Sequence, residues 1–235
     1  MNSKLRAETA PFELKGDSTR AFLGAEYTGR SIDVEVAYPA AKRWLEAYEK
    51  SLEPNLNLEA QFLNSLTSAS EDVFDRPWFR GRWLSKPPEC EDQFGPPPPE
   101  DAGPGRYNAQ GEPALYLCSS CDGVKREIGE IVEGKQLWIQ EFRIPPETRL
   151  ADARSLPRDS LAAAVLWLIE SARDRAIRPQ LGVRIVQIVG SHYDGIIVPG
   201  VRGDPDALYS NLVLFRPADR WRSFVNASAP PENAS

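Results

Sequence analysis

Two apolar rhythms run through this chain, one helical and one extended, and together they divide it into segments. Trp44, Leu45 and Tyr48 within 41–50, then Leu58, Phe62, Leu63 and Leu66 within 56–66, recur at helical spacing and predict a helical hairpin broken at Pro54. Alternating apolar and polar positions predict strands at Ala114–Cys118 and at Gln136–Ile144, with a helix from Cys121 to Ile131 between them. Ser160 is a good N-cap for a helix from Leu161 to about Ala176, with Leu161, Val165, Leu168, Ile169 and Ala172 turned to the core. Pro179 stops that helix and opens another, in which Leu181, Ile185, Ile188 and Val189 share a face. Gly195–Pro199 and Leu212–Phe215 read as closing strands joined by the Gly-Asp-Pro-Asp loop at Gly203–Asp206.

The remaining segments carry no such rhythm. The N-terminal stretch before these elements is polar, the tract from Pro87 to Gly105 is a proline- and glycine-rich loop, and the residues beyond Phe224 read as a disordered tail. Helices and strands that mix without strict alternation point to an α+β fold. The expected organisation is a helical extension over 1–70, a main domain over 71–223 and a tail over 224–235. With 235 residues, 41% hydrophobic and 26% charged, the chain is long enough for a well-buried core and ordinary for a globular protein. Its 21 prolines imply long irregular connections.

Charge and cysteine content narrow the function classes. A net charge of −6 lacks the electrostatic footprint of a direct nucleic-acid binder. The N-terminal residues hold no apolar export core and no stretch approaches a membrane span, so a cytoplasmic protein without membrane attachment is expected. Three cysteines without an export signal argue against a disulfide framework. Cys118-Ser119-Ser120-Cys121 spells C-x-x-C, but Cys90 and His192 are the only further soft ligands and no second C-x-x-C exists, so no metal is expected. Walker, G-x-G-x-x-G and nucleophile-elbow motifs are all absent from the sequence.

The chemistry concentrates between Trp78 and Glu127. Here stand Trp78-Phe79-Arg80-Gly81-Arg82-Trp83, a tetraproline at Pro96–Pro99, Gly105-Arg106-Tyr107-Asn108, Gly111, Leu115-Tyr116-Leu117 and Glu127. Guanidinium forks hold phosphates bidentately, aromatic rings offer faces to a base, and a carboxylate answers developing positive charge. A nucleotide fits such a set. Each residue also has a plainer reading: Arg80 and Arg82 as cation–π partners of Trp78 and Trp83, Tyr116 as a core-touching strand residue, Glu127 as part of a solvated helical face running Lys125 to Glu130.

The order and spacing resemble RES-domain proteins, the toxin half of bacterial Xre–RES toxin–antitoxin pairs. The matching pieces are the early Arg80, Gly105-Arg106-Tyr107-Asn108, Leu115-Tyr116-Leu117 and Glu127, followed by Tyr193-Asp194-Gly195-Ile196-Ile197-Val198-Pro199 and Asn211–Phe215. The resemblance covers roughly Phe79 to Phe215. It implies an ADP-ribosyltransferase-like, mixed or antiparallel sheet with flanking helices, NAD as substrate and an Xre-like antitoxin as partner. Glu127, Arg80 and Tyr116 would then be catalytic, and Arg80, Arg82, Arg106, Tyr107, Asn108 and Tyr116 would bind NAD, whose nicotinamide–ribose bond is cut with water or phosphate as acceptor. A protein ADP-ribosyltransferase and a non-catalytic nucleotide-binding protein are the alternatives. The family is named for Arg, Glu and Ser, and here the serine is missing both from Arg178–Gly182 and after Pro199, leaving the third member unassigned.

Overall fold

The computed structural model describes residues 56–129, 131–154, 156, 162–163, 166, 169, 177–200, 209–215, 221–224, 226–227 and 231–234. They fall into two compact units. Of the described residues, one unit holds 56–67, 153–154, 156, 162–163, 166, 169, 177–178 and 199–200. Its helix α1 spans Leu56–Ser65, as the Leu58–Leu66 spacing predicts. The expected helix over 41–50 and the loop over 203–206 lie outside the described residues, as does most of the expected helix after Ser160. Ala162, Ala163, Leu166 and Ile169, the described positions of that segment, are helical and buried.

The other unit carries the sheet. Nine strands are described: β1 (Thr67–Ser68), β2 (Trp78–Leu84), β3 (Leu115–Cys118), β4 (Gln136–Arg143), β5 (Leu150–Asp152), β6 (Gly195–Pro199), β7 (Ser210–Leu214), β8 (Asn226–Ala227) and β9 (Glu232–Asn233). They run in the order β1-β5-β6-β7-β3-β2-β4-β8, with β9 also on β4. Pairing is antiparallel for β2 with β3 and β4, β3 with β7, and β4 with β8 and β9, and parallel for β5 with β6. The fold is therefore mixed α/β around a mostly antiparallel sheet.

Register assigns each side chain to a face, because paired residues point the same way and neighbours along a strand alternate. Phe79↔Cys118, Gly81↔Ile139 and Cys118↔Asn211 put Phe79, Gly81, Trp83, Tyr116, Cys118, Leu137, Ile139 and Asn211 on one face. On the other lie Trp78, Arg80, Arg82, Leu115, Leu117, Phe142, Leu212 and Leu214. Apart from the two arginines, this second face forms a dry cluster with Val73, Phe94, Ile144, Leu150 and Ile197. Trp78 closes it by donating its indole N–H to the Val73 carbonyl at 3.0 Å.

Helix α3 (Cys121–Ile128) covers the first face; α2 is the short turn Asp72–Asp75, and α4 spans Ile177–Val189. Ser120 caps α3 by accepting the Gly123 N–H at 3.0 Å. The helix ends three residues before the expected Ile131, because Gly129 adopts φ 81°, a conformation that leaves the helical region and favours glycine. Gly81 explains how closely α3 sits: a Cβ there would fall on Val124 and Ile128, whose side chains occupy that space.

The tail differs from expectation. Instead of lacking structure, it contributes β8 at Phe142↔Ala227 and Arg143↔Asn226, and β9 at Trp138↔Asn233 and Ile139↔Glu232. Both cover the outer edge of β4, whose unpaired N–H and C=O groups would otherwise face solvent. The loop after Pro87 contains two short 3₁₀ turns, Glu91–Phe94 and Pro99–Asp101, and is anchored by fully buried Phe94.

Candidate functional site

Glu127 does not lie on a solvated helical face. Gly123 and Glu127, one turn apart on α3, face β7, whereas Val124 and Ile128 face β2. The half-buried Glu127 carboxylate accepts the Tyr209 hydroxyl at 2.9 Å and the Asn211 Nδ2–H at 2.7 Å, both on Oε1. Tyr209 is 3% exposed and Asn211 8%. Neither donor was among the residues expected at the site. One signal did exist: Asn211 leads an apolar strand, and a polar side chain in such a setting must find a partner. β7 begins at Ser210, two residues before the expected Leu212, and so includes Asn211.

Tyr116 and Asn108 are brought together, and they hold each other. The Tyr116 hydroxyl donates to Asn108 Oδ1 at 2.8 Å and accepts the Tyr107 N–H at 3.1 Å. Asn108 Nδ2 donates to the carbonyls of Gly103 at 2.8 Å and Ala109 at 3.1 Å, while Gly105 N–H donates to the Asn108 carbonyl at 3.0 Å. Asn108 and Tyr107 are buried, so this network is the frame of the loop that presents half-buried Arg106. Gly105 is required within it, because a Cβ would collide with Asn108 Oδ1 and lie 2.8 Å from the Tyr116 hydroxyl.

Arg80 sits where the two halves of the sheet join. The β2–β3 ladder has the pair Phe79↔Cys118, and beside it the Arg80 guanidinium donates Nη1–H to the Tyr116 carbonyl at 3.3 Å. Arg82, next on the same face, donates Nη2–H to the Gly95 carbonyl at 3.0 Å, while its Nε–H is buried without an acceptor. Burial pushes the Arg80 pKa down to about 9, with repulsion from Arg82 adding to it and Tyr116 opposing. Burial lowers that of Arg82 too. At neutral pH both remain cationic. Among the described residues neither is in an ion pair. The cation–π contact at Trp78 is made by Arg76, 5.1 Å from the ring centroid, rather than by Arg80. Two half-buried cations side by side, whose hydrogen bonds among the described residues go to carbonyls, form a setting that an anion would relieve.

The sequence-expected residues thus gather in three places: Glu127 under β7, Tyr116 with Tyr107, Asn108 and Arg106 in one loop frame, and Arg80 with Arg82 along β2. Arg80 links the last two through the Tyr116 carbonyl. By register, the side chains of Arg80 and Arg82 leave the sheet on the face opposite Tyr116.

The C-x-x-C segment is a strand-to-helix junction. Cys118 is buried and its thiol is pushed up to about 12, chiefly by burial, with Glu127 contributing, which makes it a poor nucleophile and a poor ligand. Cys121 is exposed, and its thiol is also raised, first by burial and then by Glu232. Ser119 is engaged with β7, its Oγ accepting the Ser210 N–H at 2.7 Å and its own N–H donating to the Ser210 carbonyl at 2.9 Å. Among the described residues no group of three or more His, Cys, Asp or Glu is placed to hold a metal. Cys121→Ser is therefore expected to leave fold and activity intact, and metal analysis of the purified protein to find no stoichiometric zinc; one zinc per chain, lost on that substitution, would refute this.

Among the described residues no helix is long and apolar enough to cross a membrane. A search of the curated proteins finds no match to the chain. A model of the RES domain matches residues 79–227, a span that contains Arg80, the Arg106 loop, Glu127 and both of its donors, and with more than half of its length so matched the chain belongs to the RES-domain family.

Proposed function

We propose that this RES-domain protein is an NAD-consuming toxin that cleaves the nicotinamide–ribose bond, with water or phosphate as acceptor. The observation that carries the reading is the Glu127 carboxylate, lifted out of the charged helical run and held by two donors on one oxygen. When the bond between nicotinamide and ribose breaks, nicotinamide leaves with the electron pair and the sugar becomes cationic. A fixed carboxylate stabilises that charge without having to reorganise as it develops. Arg106, on its framed loop, supplies a fork-shaped donor for the pyrophosphate, with Tyr107 and Tyr116 bordering the loop on which the ligand would lie, while Arg80 and Arg82, which leave the sheet on the opposite face, stand apart from that grip.

In this reading the mixed sheet is an ADP-ribosyltransferase-like core, the protein works in the cytoplasm, and an Xre-like antitoxin silences it by covering the approach to Glu127. The direct test is to incubate purified protein with NAD carrying a label in the ADP-ribose part and to identify the products. Free nicotinamide with ADP-ribose or its phosphorylated form supports the proposal. Label attached to protein would instead indicate a protein ADP-ribosyltransferase, and tight NAD binding without turnover a non-catalytic binder.

Arg106 offers a test that does not depend on turnover. Removing a charge-assisted, forked contact in Arg106→Ala should weaken NAD binding by about 1.5–3 kcal/mol. Arg106→Lys should restore little, since an ammonium lacks the planar fork. Calorimetry giving wild-type affinity for Arg106→Ala would move the pocket elsewhere.

A further inference from the structure

Glu127 owes its position to a strand far from it in sequence. Asn211 lies in β7 and Tyr209 immediately precedes that strand, and both donate to the one oxygen Oε1, at 2.7 and 2.9 Å respectively. Neither donor is loosely held. The Tyr209 ring packs over Gly123, where a Cβ would lie 2.7 Å from Cδ2 and 2.8 Å from Cγ, so the glycine makes room for the ring one turn before Glu127 on the same helix. Asn211 is fixed by its pairing opposite Cys118 in the β3–β7 ladder. A carboxylate on a long side chain samples several rotamers, and two buried donors meeting at one oxygen select a single orientation of the carboxylate plane.

We propose that Tyr209 and Asn211 are positioning residues for the NAD-cleaving reaction, acting through Glu127 by holding its carboxylate at the place where the cationic sugar forms. The inference rests on the reading of Glu127 as the carboxylate that meets that charge. It extends the functional residues beyond the arginines, tyrosines and glutamate expected from the sequence to the entry of β7, and it makes the α3–β7 contact part of the catalytic apparatus as well as of the fold. The rival account is that these hydrogen bonds only pin α3 to the sheet.

Steady-state NAD consumption by Tyr209→Phe, Asn211→Ala and Glu127→Gln, measured well below each variant's unfolding temperature, separates the accounts. Tyr209→Phe keeps the ring over Gly123 and deletes only the hydroxyl. A misplaced carboxylate should lower kcat by roughly tenfold to a hundredfold with KM within about twofold, since small displacements of a reacting group carry losses on that scale. A pin without catalytic consequence predicts a lowered unfolding temperature with kcat unchanged. Loss of turnover in Glu127→Gln establishes the reading on which the proposal rests, and full turnover in that variant removes the reading and the proposal together. With Glu127→Gln inactive, unchanged kcat in both donor variants overturns the positioning role alone. A second check uses the shorter carboxylate of Glu127→Asp as background: if Tyr209→Phe lowers kcat there by the same factor as in wild type, the hydroxyl acts independently of Glu127 and the proposal fails.

Discussion

Glu127→Gln should fold normally, bind NAD within a few-fold of wild type and lose at least about a hundredfold in NAD consumption, the scale of removing one preorganised electrostatic group. The substitution is well suited to this site. A glutamine Oε1 can accept the same two hydrogen bonds, from Tyr209 and Asn211, so the contacts between α3 and β7 survive while the charge is deleted. A carboxylate that meets positive charge only as the bond breaks contributes to the transition state far more than to the bound ground state, so the loss should fall on kcat and not on affinity. Toxicity in cells should disappear with turnover. An exposed glutamate would behave differently, its replacement shifting stability by no more than about half a kcal/mol and leaving consumption alone. Retained turnover in Glu127→Gln would end the proposed assignment and turn attention to Glu130 or Glu133, further along the sequence.

The largest structural effect is expected at Gly182. This glycine of α4 lies directly against the loop that carries Arg106: a Cβ would fall on the Arg106 carbonyl oxygen, 2.6 Å from the carbonyl carbon and 3.2 Å from the Cα of Tyr107. All three atoms are backbone, so no side-chain rotation can relieve the overlap. In an open helix, replacing glycine by alanine would gain up to about 1 kcal/mol. Here the clash opposes that gain, and overpacking of this kind costs about 1–3 kcal/mol or more. Gly182→Ala should therefore be destabilised in urea or thermal unfolding. It should also lose NAD affinity, because the displaced loop holds Arg106 and is tied to Tyr116 through Asn108. Gly103→Ala is the control, since a Cβ there meets nothing within 4 Å, and it should change stability by less than about half a kcal/mol. Wild-type stability and affinity in Gly182→Ala would show that α4 and the Arg106 loop are not in the contact described.

The same two sites show where sequence reasoning succeeds and where it stops. Period-2 alternation located β3 and β4 to within a residue, and helical spacing located α1, because both signals arise from which side chains must be buried along one short segment. Residue type and order single out Arg80, Arg106, Tyr116 and Glu127, and all four fall within the span that the RES-domain model matches. What each residue does with its neighbours was not legible. Tyr116 serves the frame of the Arg106 loop, Gly81 and Gly123 admit α3 and the Tyr209 ring, and Arg80 bonds to the carbonyl of Tyr116 at the junction of β2 and β3.

The C-terminal tail departs from the expected disorder for a related reason. Strands of two residues carry no period, and β8 and β9 exist because the edge of β4 offers unpaired backbone groups to them. The donors of Glu127 lie 82 and 84 residues beyond it in sequence, and nothing local to α3 or β7 announces the pairing. Local pattern decides which stretches become helix or strand and which residue types are available for chemistry. Register and packing between distant segments decide which of those residues meet, because a one-residue shift of a strand would turn every one of its side chains to the opposite face.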